Sequence, residues 1–307
     1  MRWGFGRSRY SLAPGLYAIG VPTPDSEVLV CANYKLSFDV LRRAVKGLNL
    51  WILVIDTKGI NVWCAAGKGT FGTAEIVHRV EATQLSQVVS HRRLILPQLG
   101  APGVAAHEVR KQSGFSVIYG PVRATDIKPF LAADKQATAQ MRRVTFSTWD
   151  RIILTPVELT VLWKNILWSA LILFILGGIG PSIFSFAAAW SRGSSAILIG
   201  LTGLITGAVL TPILLPWLPG RAFAQKGAIA GVAVATLLLI GTGPYSFGAG
   251  LATLFSLTAV ASFAAMNFTG SSTYTSPSGV EKEMRISIPL QSCAVLLAGG
   301  IWIWTAF

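Results

Sequence analysis

What most restricts the folding of this chain is the near absence of charge from its second half. Residues 158–307 hold 6 Lys+Arg and 3 Asp+Glu, against 20 and 10 in residues 1–157. Five apolar stretches, near 162–187, 195–218, 224–243, 246–267 and 287–307, are each long enough to cross the ~30 Å hydrocarbon layer as a helix of ~20 residues. In lipid a backbone satisfies its polar groups inside a helix or a closed barrel, and these unbroken apolar runs suit helices. Residues 158–307 are therefore expected to form an all-α membrane domain of five transmembrane helices. Gly177, Gly178, Gly203 and Gly207 suit close helix contacts there, and "GTGPYS" interrupts the third stretch.

If the first half is cytoplasmic, Arg221, Lys226, Lys282 and Arg285 lie inside, and only Arg192 falls in the opposite short loops. That distribution follows the positive-inside tendency and predicts a multi-pass protein of the cytoplasmic (inner) membrane, in contact with membrane lipid. Lys164, near the start of the first stretch, can snorkel to the surface. No ionisable group falls at mid-membrane, which favours an anchor or assembly platform over a transporter. The polar 268–286 connection reads either as a solvated loop or as a contact surface.

Residues 1–157 read as a separate α/β domain. "NLWILVIDT" (49–57) is a short apolar run, as expected of a strand covered on both faces. "GTAEIVHRVEATQLSQVV" follows as a helix, "RLILPQ" (93–98) as a strand, "VAAHEVRKQS" as a helix and "FSVIYGPV" as a strand. "DIKPFLAA" suits a short helix and "RRVTFS" a further strand. The alternation predicts a mostly parallel sheet. In such sheets ligands gather beyond the carboxyl ends of the strands. "DTKGINVWCAAGK", "PQLGAPG" and "YGPVRATD" fall there, rich in small residues that let a large ligand approach the backbone.

Several chemistries drop out. The net charge of +13 is spread over scattered pairs such as Arg42–Arg43, without the aromatic-interleaved runs of a nucleic-acid surface, so no nucleic-acid partner is expected. It suits a domain held beside an anionic membrane face. Three cysteines, at 31, 64 and 293, form no ligand pair and suggest a reducing compartment. The basic N-terminus lacks an apolar segment of the signal-peptide kind. Around Lys68 the phosphate-loop spacing fails, because Val62 stands where its first glycine belongs. His78, His91 and His107 are isolated and suit surface or structural roles.

Cys64, within "NVWCAAGK", has no second cysteine or His-x-x-x-His near it for a zinc site, and keeps two readings on chemistry alone: a small buried apolar residue or a nucleophile. A place in the first turn of a short helix favours its thiolate, and Asn61 is well placed to cap that helix.

All eight positions of "NVWCAAGK" match the cap-helix signature of the corrinoid proteins that methylate mercury, and the chain resembles that family (HgcA). "LGAPGVAAHEV" and "YGPVRA" also resemble the corrinoid domains of carbon-monoxide-pathway methyl carriers. The resemblance implies an α/β Rossmann-like corrinoid-binding domain over 1–157, with its cap helix at 61–68, followed by the membrane domain over 158–307. It implies Cys64 as lower axial ligand to the cobalt of a cobalamin or related corrinoid whose own base is displaced. It further implies cofactor contacts from Thr57, Asn61, Val62, Trp63, Ala65, Ala66, Gly67 and Lys68, and from Gly100, Pro102, Gly103 and Gly120. Trp63 has packing into the protein core as an equal reading, and Lys68 has simple solvation. The implied reaction carries a methyl group from methylcob(III)alamin to thiol-bound Hg(II), giving methylmercury. Its implied partners are a folate-linked methyl donor acting through a methyltransferase and a ferredoxin-like electron donor with two 4Fe–4S clusters. The alternatives are a membrane-anchored corrinoid methyl carrier with another acceptor, and a non-enzymatic membrane scaffold.

Overall fold

The computed structural model describes residues 10–181, 183–242, 246–268 and 277–307. The chain divides into two units, residues 1–145 and 146–307.

In the first unit, strands β1 (Gly15–Ile19), β2 (Val28–Ala32), β3 (Leu50–Ile55), β4 (Arg93–Leu96) and β5 (Ser116–Tyr119) form one sheet in the order β1-β3-β2-β4-β5. β1 runs antiparallel to β3 at one edge, and the other four strands are parallel. β2 is central and wholly buried, and its pleat splits the core in two. Val28, Val30 and Ala32 face one side with Leu53, Ile55, Ala65, Phe71 and Ile76. Leu29 and Cys31 face the other with Phe38, Leu41, Ile52, Val54 and Phe130. Helices α2 (Val62–Gly67), α3 (Thr73–Ala82) and α5 (Ala106–Ser113) cover the first face. Helices α1 (Lys35–Ala44) and α6 (Ile127–Ala132) cover the second.

The expected α/β unit with a mostly parallel sheet is present, with differences in detail. The long helix over residues 72–89 is two helices, α3 and α4 (Leu85–Val88), separated at Gln84, whose φ is 48°. "RRVTFS" is not a strand: Val144 is 39% exposed, and β5 pairs only with β4. With no neighbouring strand to take up its backbone groups, the segment forms an irregular link. Ser147 and Asp150 then cap α7 (Thr148–Val161) reciprocally.

The second unit is helical, apart from a small hairpin of Ile179–Gly180 with Ile183–Phe184. Among the described residues, four helices are long and apolar enough to cross a membrane: Phe186–Leu214, Phe223–Thr242, Phe247–Asn267 and Gly279–Trp304. The stretch expected at 162–187 is instead α8 (Trp163–Gly177), the hairpin and the start of the next helix. Gly177 and Gly178 are poor helix formers, and they end α8 after 15 residues. A rise of ~1.5 Å per residue makes α8 too short to cross alone. A fifth span exists only if α7 and α8, bent by 56° from each other, are counted together.

The stretch near 195–218 begins earlier and ends at Leu214, with π-helical turns at Ala189–Gly193 and Thr206–Leu210. A Cβ on Gly207 would lie 2.2 Å from Ala261 O, and one on Gly203 3.0 Å from Leu257 O, so both glycines let this helix meet the Phe247–Asn267 helix closely. Of the 268–286 connection, residues 277–286 are helical and open the Pro277–Trp304 helix. Glu281 and Arg285 pair across one turn there at 3.1 Å, in a run of good helix formers. Residues 269–276, and residues 243–245 within "GTGPYS", lie outside the described residues.

Candidate functional site

The site is built from the connections at the carboxyl ends of β2, β3 and β4. β2 and β4 are neighbours, while the chain leaving β2 turns to one face and the chain leaving β3 crosses the other. Sheets of this kind hold ligands where their connections diverge.

From β3 the backbone passes through Asp56 and Thr57, takes left-handed conformations at Lys58 and Gly59, and enters α2. Asn61 is the N-cap of that helix, and its Oδ1 accepts the Cys64 backbone N–H at 2.9 Å. Val62 packs against the core, and Ala65 and Ala66 are buried in it. This orientation leaves Cys64 half-buried and Trp63 42% exposed. Trp63 therefore lies outside the core, which sets aside the packing alternative for its ring. Gly67 and Lys68 are exposed, and the Lys68 backbone N–H closes the last turn onto Cys64 O at 3.1 Å.

The turn after β4, Gln98–Gly103, packs directly on α2. A Cβ at Gly103 would lie 2.3 Å from Phe71 O and 3.1 Å from Ala66 Cα, and one at Gly100 would lie 2.5 Å from the Phe71 ring. Both glycines face this contact, while Pro102 is exposed. Gly120 is placed apart, against Ile95 and Phe130 of the opposite face. Thr57 is fully buried, with its hydroxyl 2.9 Å from Asn33 Oδ1 and 2.7 Å from Ile60 O, so that hydroxyl serves the loop.

Six polar residues outside the predicted site set, Asn33, Asp56, Lys58, Glu75, Arg79 and Gln98, organise this edge. Asn33, just beyond β2, accepts from Thr57 and Gly59 and donates to Asp56. Glu75 of α3 accepts the Asp56 N–H at 2.8 Å and is itself held by Arg79 at 2.8 Å. The Lys58 backbone N–H, then the Lys58 ammonium, hold the Asp56 carboxyl below the usual carboxylate range. Gln98, which opens the turn after β4, has its Oε1 buried without a hydrogen-bond partner among the described residues. The detectable signal for Asn33 is its position immediately after "VLVCA", a run of strand formers.

The other cysteines are placed differently. Cys31 is in the sheet core, where burial pushes its thiol up to about 12, and Cys293 is exposed on the Pro277–Trp304 helix. Nε2 of His91 lies 3.0 Å from Ser26 O while its Nδ1 accepts from Arg93 N at 3.3 Å, a satisfied structural role. His78 and His107 are exposed.

Residues 6–131 match the family of the CO dehydrogenase/acetyl-CoA synthase delta subunit (CdhD). The chain is similar to the acetyl-CoA decarbonylase/synthase complex subunit gamma of Archaeoglobus fulgidus, 31% identical over 130 residues, which are 41% of this chain and 27% of that protein. The same subunit of Methanopyrus kandleri is 30% identical over 127 residues, again 41% and 27% of the two chains. The corrinoid/iron-sulfur protein large subunit of Moorella thermoacetica is 28% identical over 121 residues, 39% of this chain and 27% of that protein. The chain thus spans about a quarter of the length of these curated relatives. The family match falls within the α/β part of the chain, and one of the three relatives is named as a corrinoid/iron-sulfur protein.

Proposed function

We propose that this chain is a membrane-bound corrinoid methyltransferase of the mercury-methylating (HgcA) kind, with Cys64 as its cobalt ligand. The observation that carries the reading is Cys64 itself, half-buried beside an exposed Trp63 on an Asn61-capped helix, within a region related to corrinoid proteins. The α/β unit is then a Rossmann-like corrinoid domain. We assign it to residues 1–145 and the membrane domain to 146–307, twelve residues earlier than the expected 157/158 boundary because α7 and α8 together supply the fifth span.

The residues present fit such a cofactor. Cys64 offers a soft sulfur donor, Trp63 offers an uncovered ring face, and a Cβ on Gly67 would meet no atom within 4 Å. The orphaned Gln98 Oε1 is an acceptor in need of a donor, and amide N–H groups on a large ligand supply one. A bound corrinoid supplies a cobalt centre able to carry a methyl group.

Cys64 Sγ would hold the cobalt as a soft sulfur donor, and the corrinoid so held would supply a methyl group for a soft acceptor such as Hg(II). Asn61 holds the Cys64 backbone, Trp63 and Gly67 give the ligand a flat approach, and Lys68 stands at the exposed end of α2. Thr57 keeps the loop in shape beneath them. We assign exposed Pro102 to the outer wall, while Gly100 and Gly103 seat its turn against α2 and Gly120 lies apart from the site. With cysteines at only 31, 64 and 293, the chain has no set for an iron–sulfur cluster, so electrons come from outside, from a ferredoxin-like partner with two 4Fe–4S clusters. The methyl group comes from a folate-linked donor through a separate methyltransferase. In the cytoplasmic membrane, with the α/β unit inside, Arg221, Lys226, Lys282 and Arg285 fall on the cytoplasmic side.

A second reading keeps the corrinoid and changes the acceptor. It is favoured by the relatives, which are subunits of acetyl-CoA decarbonylase/synthase complexes. The deciding experiment is reconstitution of the purified full chain with corrinoid, with optical spectra of wild type and Cys64→Ala. Loss of the thiolate–cobalt signature in the variant supports the ligand, and identical spectra overturn it. An Hg(II) methylation assay with the reducing partner then separates mercury from another acceptor.

A further inference from the structure

Two sets of hydrogen bonds, joined by the Ile60–Asn61 peptide, link the end of β2 to Cys64. Asn33 is 4% exposed and fixed by its backbone, with its N–H on Ile55 O at 3.0 Å and its carbonyl accepting from Leu12 N at 2.8 Å. Its Oδ1 gathers the Thr57 N–H at 3.1 Å, the Gly59 N–H at 2.9 Å and the Thr57 hydroxyl at 2.9 Å. Its Nδ2 donates to Asp56 Oδ1 at 3.0 Å. Inside this grip Lys58 has φ 57° and Gly59 φ 70°. A left-handed lysine is disfavoured and persists only where its surroundings over-determine it. The next anchor is Ile60 O, 2.7 Å from the Thr57 hydroxyl, whose single proton it shares with Asn33 Oδ1, and the next residue is Asn61, which caps Cys64.

We infer that Asn33 is a positioning residue, which fixes the β3–α2 loop and through it the place of Cys64 at the sheet edge. The inference rests on the cobalt-ligand reading for its functional meaning, while the geometry belongs to the polypeptide alone. Helix α2 has only six residues, too few to hold its own direction, so the loop that feeds it must do so. A ligand atom has to be held within ~0.5 Å of its productive place. Asparagine suits the position because one short side chain presents an acceptor for three donors and a donor for Asp56. Aspartate lacks the donor and would set a second carboxylate against Asp56.

The test uses the full chain in detergent as wild type, Asn33→Ala and Thr57→Val. Iodoacetamide labelling is read at each cysteine by mass spectrometry, with core residue Cys31 reporting general opening. Asn33→Ala is expected to raise Cys64 labelling about tenfold, the factor equivalent to ~1.4 kcal/mol, with Cys31 unlabelled. Thr57→Val, which removes only the hydroxyl, moves it in the same direction by less, and serves if Asn33→Ala does not fold. With added methylcobalamin, Asn33→Ala is expected to bind while losing the thiolate–cobalt signature of wild type. Unchanged Cys64 labelling in the folded variants, or Cys31 and Cys64 rising together, overturns the inference. If wild type itself gives no thiolate–cobalt signature, the corrinoid reading fails and the labelling alone decides the role of Asn33.

Discussion

The backbone N–H of Cys64 donates to Asn61 Oδ1 at 2.9 Å, so the residue with the proposed chemistry is tied to one three positions before it. Beyond the helix, the chain folds back onto Ala65 O, which accepts from Thr70 N at 3.0 Å and Phe71 N at 3.1 Å. The helix is thus capped at its start by a side chain and at its end by its own chain folding back.

Removing the cap should therefore be felt locally. Asn61→Ala is expected to cost about 1 kcal/mol, and Asn61→Ser or Asn61→Asp much less, because each keeps an acceptor for the Cys64 N–H. Urea unfolding of the three variants checks the ranking, and a cost for Asn61→Ala no greater than for Asn61→Ser would contradict it.

Cys31 makes a prediction about pH. Its thiol is raised by burial from 9.0 to about 12, and the Ala32 backbone offsets this only in part. The folded state therefore keeps the proton where the unfolded chain releases it, and stability is full below pH 9 and falls as pH rises toward the folded value. The slope contributed by this group is about 1.4 kcal/mol per pH unit in that window. Cys31→Val should flatten the fall in an unfolding series from pH 8 to 11, and an unchanged slope would show that Cys31 is not its source.

Much of this architecture can be read from residue pattern, and the exceptions have physical causes. "NLWILVIDT" and "RLILPQ" declare themselves because strands buried on both faces need unbroken apolar runs. β2 escaped notice although it is the most buried strand, because five apolar residues without alternation fit several structures equally well. The four long apolar helices were legible to within a few residues at most ends, but the end of α8 at Gly177 depends on one glycine pair within a continuous apolar run. At the site, "NVWCAAGK" singled out the capped helix. The support beneath it escaped because Asn33, Asp56 and Glu75 meet only in three dimensions.

The helical unit contains a buried polar contact between two of its long helices. Gln291 Nε2 donates to Ser262 Oγ at 2.8 Å, and Ser262 donates in turn to Ala224 O at 2.9 Å. Gln291 Oε1 is buried without a partner among the described residues. Gln291→Leu removes one bond together with that orphaned acceptor, so its effect should be within about 0.6 kcal/mol of neutral. Ser262→Ala leaves the whole amide unpaired and should cost more, about 1–2 kcal/mol. Unfolding of both variants in mixed micelles compares them, and a larger loss for Gln291→Leu would refute the assignment.

The two glycines on either side of α2 predict opposite outcomes for the same substitution. At Gly103 a Cβ would meet Phe71 O at 2.3 Å and Ala66 O at 3.1 Å, both backbone atoms that cannot turn aside. Gly103→Ala must push the post-β4 turn off α2, at a cost of about 1–3 kcal/mol. At Gly67 a Cβ meets nothing within 4 Å, and the residue is helical, so Gly67→Ala should stabilise the ligand-free chain by about 0.4–1 kcal/mol. If a corrin ring lies over this surface, the same methyl group obstructs it. Gly67→Ala should then raise Tm without ligand while weakening corrinoid binding in an optical titration. A variant that is both more stable and equally tight would move the ring away from Gly67, whereas a loss of stability would show that α2 packs differently from the arrangement described.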